Sequence, residues 1–324
     1  MKCKKLKMIL NYHLMHPGGN SKPGDPNLAF CLDGYYHLHY IFSHTWKGNK
    51  SFSFIHVKSK DMLNWEWLNT KLQPSFTGHG MFSGTGFITK NGIPAAIYCA
   101  YKKNSRNTFI TIAKDNTLND WHKPYQIFVK NGPKGKNISL LGDPDCFLIG
   151  DTYYAYSAMS SISNSNIPSM TTAFENVLLC KSKDLVNWEY VGKLFKYDTL
   201  DVIKGEDLSC ANMFPINDKW MILCISHSMG CRYYIGDWDK KNEQFIPEKH
   251  GRMNWPRPSQ PLLVPLYRDF FAPESLITKD GRRIMWSWLY TLDKKVEFKS
   301  IQSLPRELSL CPEGGLLIKP LSEL

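Results

Sequence analysis

Two short segments of the chain carry the same acidic turn. Residues 24–27 read Gly-Asp-Pro-Asn and residues 142–145 read Gly-Asp-Pro-Asp, and each stands beside an aromatic, strand-like run. A single Gly-Asp-Pro is ordinary turn chemistry, because Asp bonds nearby backbone donors, Pro fixes φ and Gly tolerates unusual backbone angles. Two carboxyl groups are also what cleavage of a glycosidic bond requires: one protonates the leaving oxygen, and the other attacks carbon or activates water. That chemistry is open to Asp25 and Asp143 only if the fold brings them together.

The elements between these turns are predicted to be strands. Five short runs rich in β-branched and aromatic residues begin at residues 35, 95, 152, 219 and 282, at intervals of 60, 57, 67 and 63 residues. No long stretch keeps a helical period. Three further segments, at 55–68, 111–123 and 178–191, repeat a Lys-Asp pair, a short apolar turn and a Trp. Regular units of four-strand size predict an all-β fold, a five-bladed β-propeller covering residues 1–302.

A propeller would bring the two acidic turns together. Its inner strands face one central channel, so residues equivalent within the repeat converge there. Asp25 precedes the run at 35 by 10 residues, and Asp143 precedes the run at 152 by 9. Glu206 and Asp207 hold a comparable place upstream of the run at 219. The pattern therefore predicts three acidic positions in one funnel, from three different blades.

The order of the motifs resembles glycoside hydrolase family 32, which comprises retaining β-fructofuranosidases, inulinases and levanases. The motifs are His-Pro-Gly-Gly-Asn-Ser-Lys-Pro-Gly-Asp-Pro-Asn (16–27), Met-Phe-Ser-Gly-Thr-Gly-Phe (81–87), Gly-Asp-Pro-Asp (142–145), Gly-Glu-Asp-Leu-Ser-Cys (205–210), Phe-Phe-Ala-Pro-Glu-Ser (270–275) with Gly-Arg-Arg-Ile-Met-Trp-Ser-Trp (281–288), and Ser-Leu-Pro-Arg-Glu-Leu-Ser-Leu (303–310). The resemblance implies cleavage of terminal β-D-fructofuranosyl units from sucrose or fructans, with a small-molecule or oligosaccharide substrate. It implies no cofactor and no metal.

The resemblance also assigns roles to residues. Asp25 matches the nucleophile, Asp143 the transition-state stabiliser, and Glu206 is the best match for the acid/base. Substrate contacts are expected at Phe82 and Ser83, from a Phe-Ser-Gly motif, and at Asn27, His44, Trp46, Asp207 and Glu274. Residues 303–324 resemble the junction at which the family's propeller passes into a C-terminal β-sandwich. Loss of such a sandwich would expose apolar surface, so a homo-oligomer is one expected outcome.

Several positions depart from the family's motifs. Gly24 and Leu28 replace an Asn and a Gly around the proposed nucleophile, and no Arg precedes Asp143. A strict alignment on Cys210 puts Ser209 at the acid position, so that Asp207 or Glu274 are alternatives to Glu206. Three other functions stay open. One is a family 43-like inverting arabinosidase or xylosidase, whose carboxyl groups would stand ~6.5–9.5 Å apart instead of ~5–5.5 Å. The others are a non-catalytic sugar-binding propeller, which the altered acid motif makes plausible, and a basic nucleic-acid-binding propeller.

The amino-acid composition disfavours several kinds of partner and metal site. Lys and Arg exceed Asp and Glu by 11, but the charges are scattered apart from a basic run at 2–7, which disfavours nucleic acid. Nine cysteines without a Cys-x-x-Cys disfavour a zinc ribbon or a disulfide scaffold, and no His-Glu-x-x-His occurs. The first residues have too short an apolar core for a signal peptide, and no run approaches the ~20 apolar residues of a membrane span. These features predict a cytoplasmic protein without membrane partners.

Overall fold

Five antiparallel sheets make up the structure, a computed structural model that describes residues 12–17, 23–102, 105–160, 177–196, 206–227, 229–253, 268–290 and 300–324. The basic run at 2–7 lies outside these residues. The first sheet contains β1 (Pro23–Leu32), β2 (Tyr35–Trp46), β3 (Asn49–Ser59) and β4 (Glu66–Leu68). After the short helix α1 (Pro74–Thr77), the second sheet contains β5 (Gly80–Ile88), β6 (Pro94–Lys102), β7 (Ser105–Ile112) and β8 (Tyr125–Gln126).

The other three sheets follow the same order from the inside outwards. The third contains β10 (Leu140–Ile149), β11 (Thr152–Ser160), β12 (Leu178–Ser182) and β13 (Trp188–Lys193), with β9 (Val129–Lys130) added in parallel at its edge. The fourth contains β14 (Ser209–Ile216), β15 (Lys219–Ser226), β16 (Gly230–Asp239) and β17 (Gln244–Arg252). The fifth contains β18 (Arg268–Ile277), β19 (Arg283–Tyr290), β20 (Ser300–Gln302), β21 (Arg306–Leu310) and β22 (Leu316–Pro320).

The sheets form a closed ring. The first strands β1, β5, β10, β14 and β18 contact one another in this order, and β18 returns to β1. The seam between the last and first sheets is tied by hydrogen bonds, from Ser300 Oγ to the carbonyl of Pro23 and from Gln302 Nε2 to the carbonyl of Gly24, the latter at 2.7 Å. The predicted five-bladed β-propeller is confirmed, and the five apolar runs that indicated it are the second strand of each blade.

The hydrophobic core is divided among the interfaces between neighbouring blades. Trp121 is buried between blades one and two, Trp188 between two and three, and Trp286 between five and one. The repeated Lys-Asp…Trp segments are the turns that lead to the outer strands. In blades one and three, Asp61 and Asp184 each accept two backbone N–H groups from the residues that follow. The sequence repeat therefore reports a structural turn of the blade.

The predicted boundary at residue 302 falls inside the fifth blade. Strands β21 and β22, from residues 306–310 and 316–320, pair with each other and through β21 with β19. The segment 303–324 therefore completes the outer part of a blade, and the expectation that it lies after the propeller is corrected. The physical reason is that the fifth sheet would otherwise have only the short strand β20 outside β19.

Each innermost strand is irregular near its beginning. Register shifts of the β-bulge type occur in all five, and Asp143, Cys210 and Ala272 have φ of 43°, 44° and 48° at corresponding places in β10, β14 and β18. A bulge turns a side chain away from the regular alternation of a strand and is frequent beside active sites. The positive φ of a non-glycine residue costs ~1–3 kcal/mol, which the surrounding packing must offset.

Among the residues that the structure describes, no helix is long and apolar enough to cross a membrane.

Candidate active site

The irregular ends of the innermost strands surround a pocket of about 530 Å³ on the propeller axis. All five blades contribute to it. Its walls are formed by Gly24, Asp25, Ile41, Ser43, Lys50, Phe52, Phe82, Ser83, Asp143, Cys210, Ile225, His227, Phe271, Trp288 and Tyr290. This volume lies within the ~300–1,000 Å³ of sites for small molecules. Aromatic faces beside a few polar groups give the pocket the character of a sugar site.

Two carboxylates meet inside this pocket around one sulfur atom. Cys210 Sγ lies 3.8 Å from Oδ2 of Asp25 and 3.6 Å from Oδ2 of Asp143. Ser83 Oγ donates a hydrogen bond of 2.9 Å to Asp25 Oδ2, and the backbone N–H of Cys210 donates one of 3.2 Å to Asp143 Oδ2. Ser83 from blade two and Cys210 from blade four thus fix the carboxylates that blades one and three supply. The structure brings Asp25 and Asp143 together, as their equivalent places in the repeat predicted.

Burial sets the electrostatics of this pair. It raises the pKa of Asp143, against the opposing effects of the Cys210 N–H, His227 and Arg106. Burial and the negative charges of Asp143 and Asp25 raise the pKa of the Cys210 thiol well above its usual value. The thiol therefore stays protonated at neutral pH, and a protonated sulfur can lie between two acidic groups as a weak donor.

A second ring of polar side chains lies directly below the pocket. Four of its members follow a pocket residue by two positions, and the fifth follows Ala272 in the same way, which places each pair on the same side of a strand. The members are Asn27, Thr85, Asp145, Asn212 and Glu274, all buried. Neighbouring blades are joined through them: Asn27 Oδ1 accepts the N–H of Gly84 at 2.8 Å, and Asn212 Oδ1 accepts a hydrogen bond from Ser275 Oγ.

Asp145 is the centre of this second ring. One carboxylate oxygen accepts Thr85 Oγ1 from blade two at 2.8 Å, and the other accepts the N–H of Met213 from blade four at 2.8 Å. Burial raises the pKa of Asp145 to about 6 even with these donors. Asp145 therefore supports the strands that carry Asp143 and Cys210, and it does not line the pocket.

Two other predicted contacts belong to this supporting layer. Asn27 is 1% exposed, and its Nδ2 donates to the carbonyl of Asp25 at 2.7 Å, so it fixes the backbone of the pocket strand. Glu274 is also 1% exposed, and burial raises its pKa well above the usual value. Neither side chain is in the pocket wall. The expectation that they contact substrate is corrected, because both side chains lie two residues further along their strands, in the buried ring below the pocket.

Glu206 also lies away from the pocket. Its Oε1 accepts Arg232 Nε at 2.7 Å and lies 3.3 Å from the hydroxyl of Tyr234, and its side chain is 1% exposed. Burial raises the pKa of Glu206, opposed by Arg232. The carboxylate thus takes part in a buried ion pair inside blade four. Its predicted place in the funnel is corrected, since a guanidinium from β16 holds it among the strands of that blade.

Asp207 lies directly behind one wall of the pocket. Its Oδ1 accepts the backbone N–H of His227 at 2.7 Å, while Oδ2 contacts His227 Nδ1 at 2.7 Å and accepts Ser209 Oγ at 2.8 Å. Burial would raise the pKa of Asp207, but these bonds outweigh it and lower that pKa. The carboxylate is 5% exposed, whereas His227 is 32% exposed and lines the pocket. Asp207 therefore reaches the pocket only through His227.

The remaining predicted contacts separate into two groups. Phe82 and Ser83, which are expected to contact substrate, both line the pocket. His44 lines a different cavity, where its Nε2 lies 2.6 Å from Ser53 Oγ, so the expectation that it contacts substrate in this pocket is corrected. Trp46 lines a neighbouring cavity of about 430 Å³ that shares Lys50 with the pocket. Both residues lie near the turn of the long β2–β3 hairpin, which follows Trp46.

The sequence reasoning missed several pocket residues. Lys50, Cys210, His227, Trp288 and Tyr290 were not among the predicted contacts. One signal was available for Cys210, because it follows Asp143 by the 67 residues that separate the strand starts at 152 and 219. No comparable signal marked His227, whose role depends on a partner 20 positions earlier. Within the described residues, no group of three His, Cys, Asp or Glu side chains could hold a metal ion.

Known proteins resemble the chain over nearly its whole length. The N-terminal domain of glycosyl hydrolases family 32 matches residues 18–320. The insoluble isoenzyme 7 of β-fructofuranosidase from Oryza sativa subsp. indica is 24% identical over 339 residues, which cover 93% of this chain and 53% of the rice protein. The chain thus spans about half the length of that relative.

Solved structures agree on the fold. Fructan 1-exohydrolase IIa from Cichorium intybus gives a TM-score of 0.69 at 20% identity, over 97% of this chain and 60% of that one. Sucrose-6-phosphate hydrolase from Lactobacillus gasseri gives 0.67 at 20% identity, over 96% and 63%. Since the family match covers all five blades and the carboxylate pocket, the chain belongs to glycosyl hydrolases family 32 and carries its N-terminal domain.

Proposed function

We propose that the protein hydrolyses terminal β-D-fructofuranosyl units of sucrose or fructans by a retaining double displacement. One observation carries the proposal: the carboxylates of Asp25 and Asp143 converge on a single sulfur in a pocket of suitable size. Membership of the family supports the substrate class, because relatives of similar sequence or fold are a β-fructofuranosidase and a fructan exohydrolase. Retention is the stereochemical course that the family resemblance implies.

Asp25 is the nucleophile in this proposal. Its Oδ2 is fixed by the hydroxyl of Ser83, which leaves the carboxylate oriented toward the axis of the pocket. Attack on the anomeric carbon forms a covalent fructosyl-enzyme, and water then releases fructose. Fixing the attacking oxygen before the substrate arrives lowers the entropic part of the barrier.

Asp143 stabilises the transition state. It lies beside the nucleophile but is held by a different strand, through the N–H of Cys210. Its burial, which raises its pKa, also means that little water screens its charge. Hydrogen bonds from sugar hydroxyls to this carboxyl group, and its negative charge beside the developing oxocarbenium, both act on the transition state.

The aromatic walls hold the sugar in place. Phe82, Phe271 and Trp288 form apolar faces in the pocket, while Lys50 and Tyr290 supply polar groups. A furanose ring offers a small apolar face and several hydroxyls, and this mixture of walls matches both.

The test is fructose release from sucrose, 1-kestose and inulin by the purified protein and by Asp25→Ala. We expect the variant to lose activity by orders of magnitude, while the exposed-residue control Asp218→Asn keeps it. Azide provides a second test with an activated aryl β-D-fructofuranoside. In Asp25→Ala, azide should bind in the space left by the carboxylate, attack the anomeric carbon and form the α-fructosyl azide. Undiminished hydrolysis by Asp25→Ala would refute the assignment.

A non-catalytic sugar-binding propeller is the second candidate. It is favoured by the position of Glu206, which lies in a buried ion pair outside the pocket. Under this alternative the unmodified protein releases no fructose from any of the three substrates but still binds them in calorimetry. Weakening of that binding by a pocket substitution such as Trp288→Ala would then locate the binding site.

A cytoplasmic location and a homo-oligomer belong with the proposal as expectations. The eight cysteines that the structure describes are all free, as is usual in a reducing compartment. Fractionation of the native host and sedimentation of the purified protein test the two expectations separately.

A further inference from the structure

Hydrolysis in this pocket needs a proton donor, and the family's usual carboxylic acid is missing from its place. Alignment on Cys210 puts Ser209 where the acid is expected. Among the described residues, the carboxyl groups that line the pocket are those of Asp25 and Asp143, which already have roles. Glu206 and Glu274 are buried elsewhere. Within the part of the chain that the structure describes, a different kind of side chain must therefore supply the proton.

The wall of blade four contains an imidazole that is held by a carboxylate. His227 follows the end of β15 and lines the pocket, with its ring 5.8 Å from that of Phe271, which it meets edge to face. Asp207 receives both the backbone N–H and the Nδ1 of this residue, each at 2.7 Å. Ser209 donates to the same carboxylate at 2.8 Å. Three bonds thus fix Asp207, and two of them fix His227.

This arrangement determines which ring nitrogen can exchange a proton. The bonds to Asp207 lower its pKa, so it is ionised at neutral pH and can only accept hydrogen bonds. Nδ1 of His227 must then carry a hydrogen in both charge states of the ring. The proton that comes and goes is the one on Nε2. A carboxylate behind an imidazole also stabilises the charged ring, as in the catalytic triads of hydrolases.

We propose that His227 is the acid and base of fructoside hydrolysis in this protein and that Asp207 is its positioning residue, an inference that rests on the proposed function. In the first step the Nε2 proton of the imidazolium passes to the glycosidic oxygen as its bond to the anomeric carbon breaks and Asp25 bonds to that carbon. In the second step neutral Nε2 takes a proton from water, whose oxygen bonds to the anomeric carbon. The carboxylate of Asp25 leaves, and the imidazolium is restored.

Several charged groups lie around His227. Asp207 lies on its Nδ1 side, and Asp143 is close enough for His227 to lower the pKa of that carboxyl group. The titratable groups that share the pocket with His227 are Asp25, Asp143, Cys210, Lys50 and Tyr290. Of these, the acidic pair favours the imidazolium, and Lys50, from blade one, opposes it.

The experiment compares two substrates in His227→Ala and His227→Gln. Sucrose needs a proton on its leaving group, whereas an aryl fructoside with a nitrophenol leaving group does not. We expect kcat/KM for sucrose to fall by ~10²–10⁴-fold and the aryl substrate to lose far less in its first step. With azide, His227→Ala should form β-fructosyl azide, because azide replaces water in attacking the fructosyl-enzyme. The matched control is His122→Gln, an exposed histidine outside the pocket.

Asp207→Asn tests the positioning role. An amide keeps the size of the side chain but removes the charge that stabilises the imidazolium. We expect the basic limb of the kcat/KM profile for sucrose to move to lower pH in Asp207→Asn and to disappear in His227→Gln. A purely structural role would change the folded fraction without moving this limb.

The possible results separate the two proposals. If the unmodified protein releases no fructose, the proposed function fails. If it is active and His227→Ala keeps sucrose hydrolysis within about twofold, with an unchanged basic limb, the role of His227 is overturned while the function stands. Equal losses for both substrates without azide rescue, in a variant with a normal unfolding curve, would also overturn it.

Discussion

A histidine cluster in blade one should make the stability of the propeller depend strongly on pH. His39 has no exposed surface, and its ring stacks on that of His56 with centroids 4.3 Å apart. Its Nδ1 lies 3.1 Å from the carbonyl of Leu28, while its Nε2 is buried without a hydrogen-bond partner within the described structure. Burial lowers the pKa of His39 to about 3, with a further decrease from His37. The ring is therefore neutral in the folded protein throughout the ordinary pH range.

The size of the effect follows from linkage. The unfolded chain binds a proton at His39 below pH ~6.5, whereas the folded protein does not until about pH 3. The contribution of His39 is thus fully present above the unfolded pKa and is lost as the pH falls below it, by ~1.4 kcal/mol for each pH unit. Between about pH 7 and about pH 5 the free energy of unfolding should fall by about 2 kcal/mol because of this residue.

Urea unfolding of the wild type and of His39→Asn, at about pH 7 and about pH 5, measures this contribution. The asparagine amide can still donate to Leu28, and it does not titrate. Trp121, whose ring lies 6.3 Å from that of His39, gives a fluorescence signal close to the site. The loss between the two pH values should be about 2 kcal/mol smaller in the variant, whatever its absolute stability. The same loss in both proteins would refute the argument, and the exposed-residue variant His122→Gln should behave as the wild type.

Two further predictions concern buried carboxylates that the proposed chemistry does not use. Asp145→Asn puts an amide where donors from blades two and four converge, so we expect a loss of ~1–3 kcal/mol, measured by urea unfolding beside Asp218→Asn; an unchanged midpoint would contradict the role of Asp145 as a link between blades. Arg232→Met leaves the carboxylate of Glu206 buried without its cation, so the free energy of unfolding should fall by ~3–5 kcal/mol. Glu206→Gln should retain fructose release per folded molecule within about twofold. A loss of orders of magnitude in that variant would return the acid role to Glu206.

The spacing of the blades could be predicted because an apolar run marks the second strand of each blade. The central residues of the second strand of each blade are buried on both faces, so this strand appears in the sequence as a run rich in apolar residues, such as Met221–Ile225. The first strand is different, because its channel face carries polar residues such as Asp25 and Asn27. The hydrophobic pattern alone therefore predicted that the acidic turns precede the strands, although both lie within innermost strands, at or beside register shifts. The convergence of Asp25 and Asp143 followed from the repeat even so.

The local sequence could not show which side chain near β14 serves the pocket as an acid. Glu206 and Asp207 are adjacent, yet one points to Arg232 within the blade and the other to His227 at the pocket wall. Their partners lie 26 and 20 residues away, on or just after strands β16 and β15. Which of two neighbouring carboxylates reaches a pocket depends on side-chain direction at the start of β14, and tertiary partners set that direction.

The two rings explain how the acid position can change while the carboxylate pair is kept. Asp25, Asp143 and Cys210 occupy channel-facing positions, and the buried ring two residues further on fixes their strands across neighbouring blades. Ser209 is one residue away from that alternation, so its hydroxyl turns to Asp207 and not to the channel. The proposed proton donor belongs to the segments that precede β14 and follow β15, a part of blade four that the rings do not contain. A His-Asp pair in those segments can take over proton transfer without altering a single bond to the nucleophile or the stabiliser.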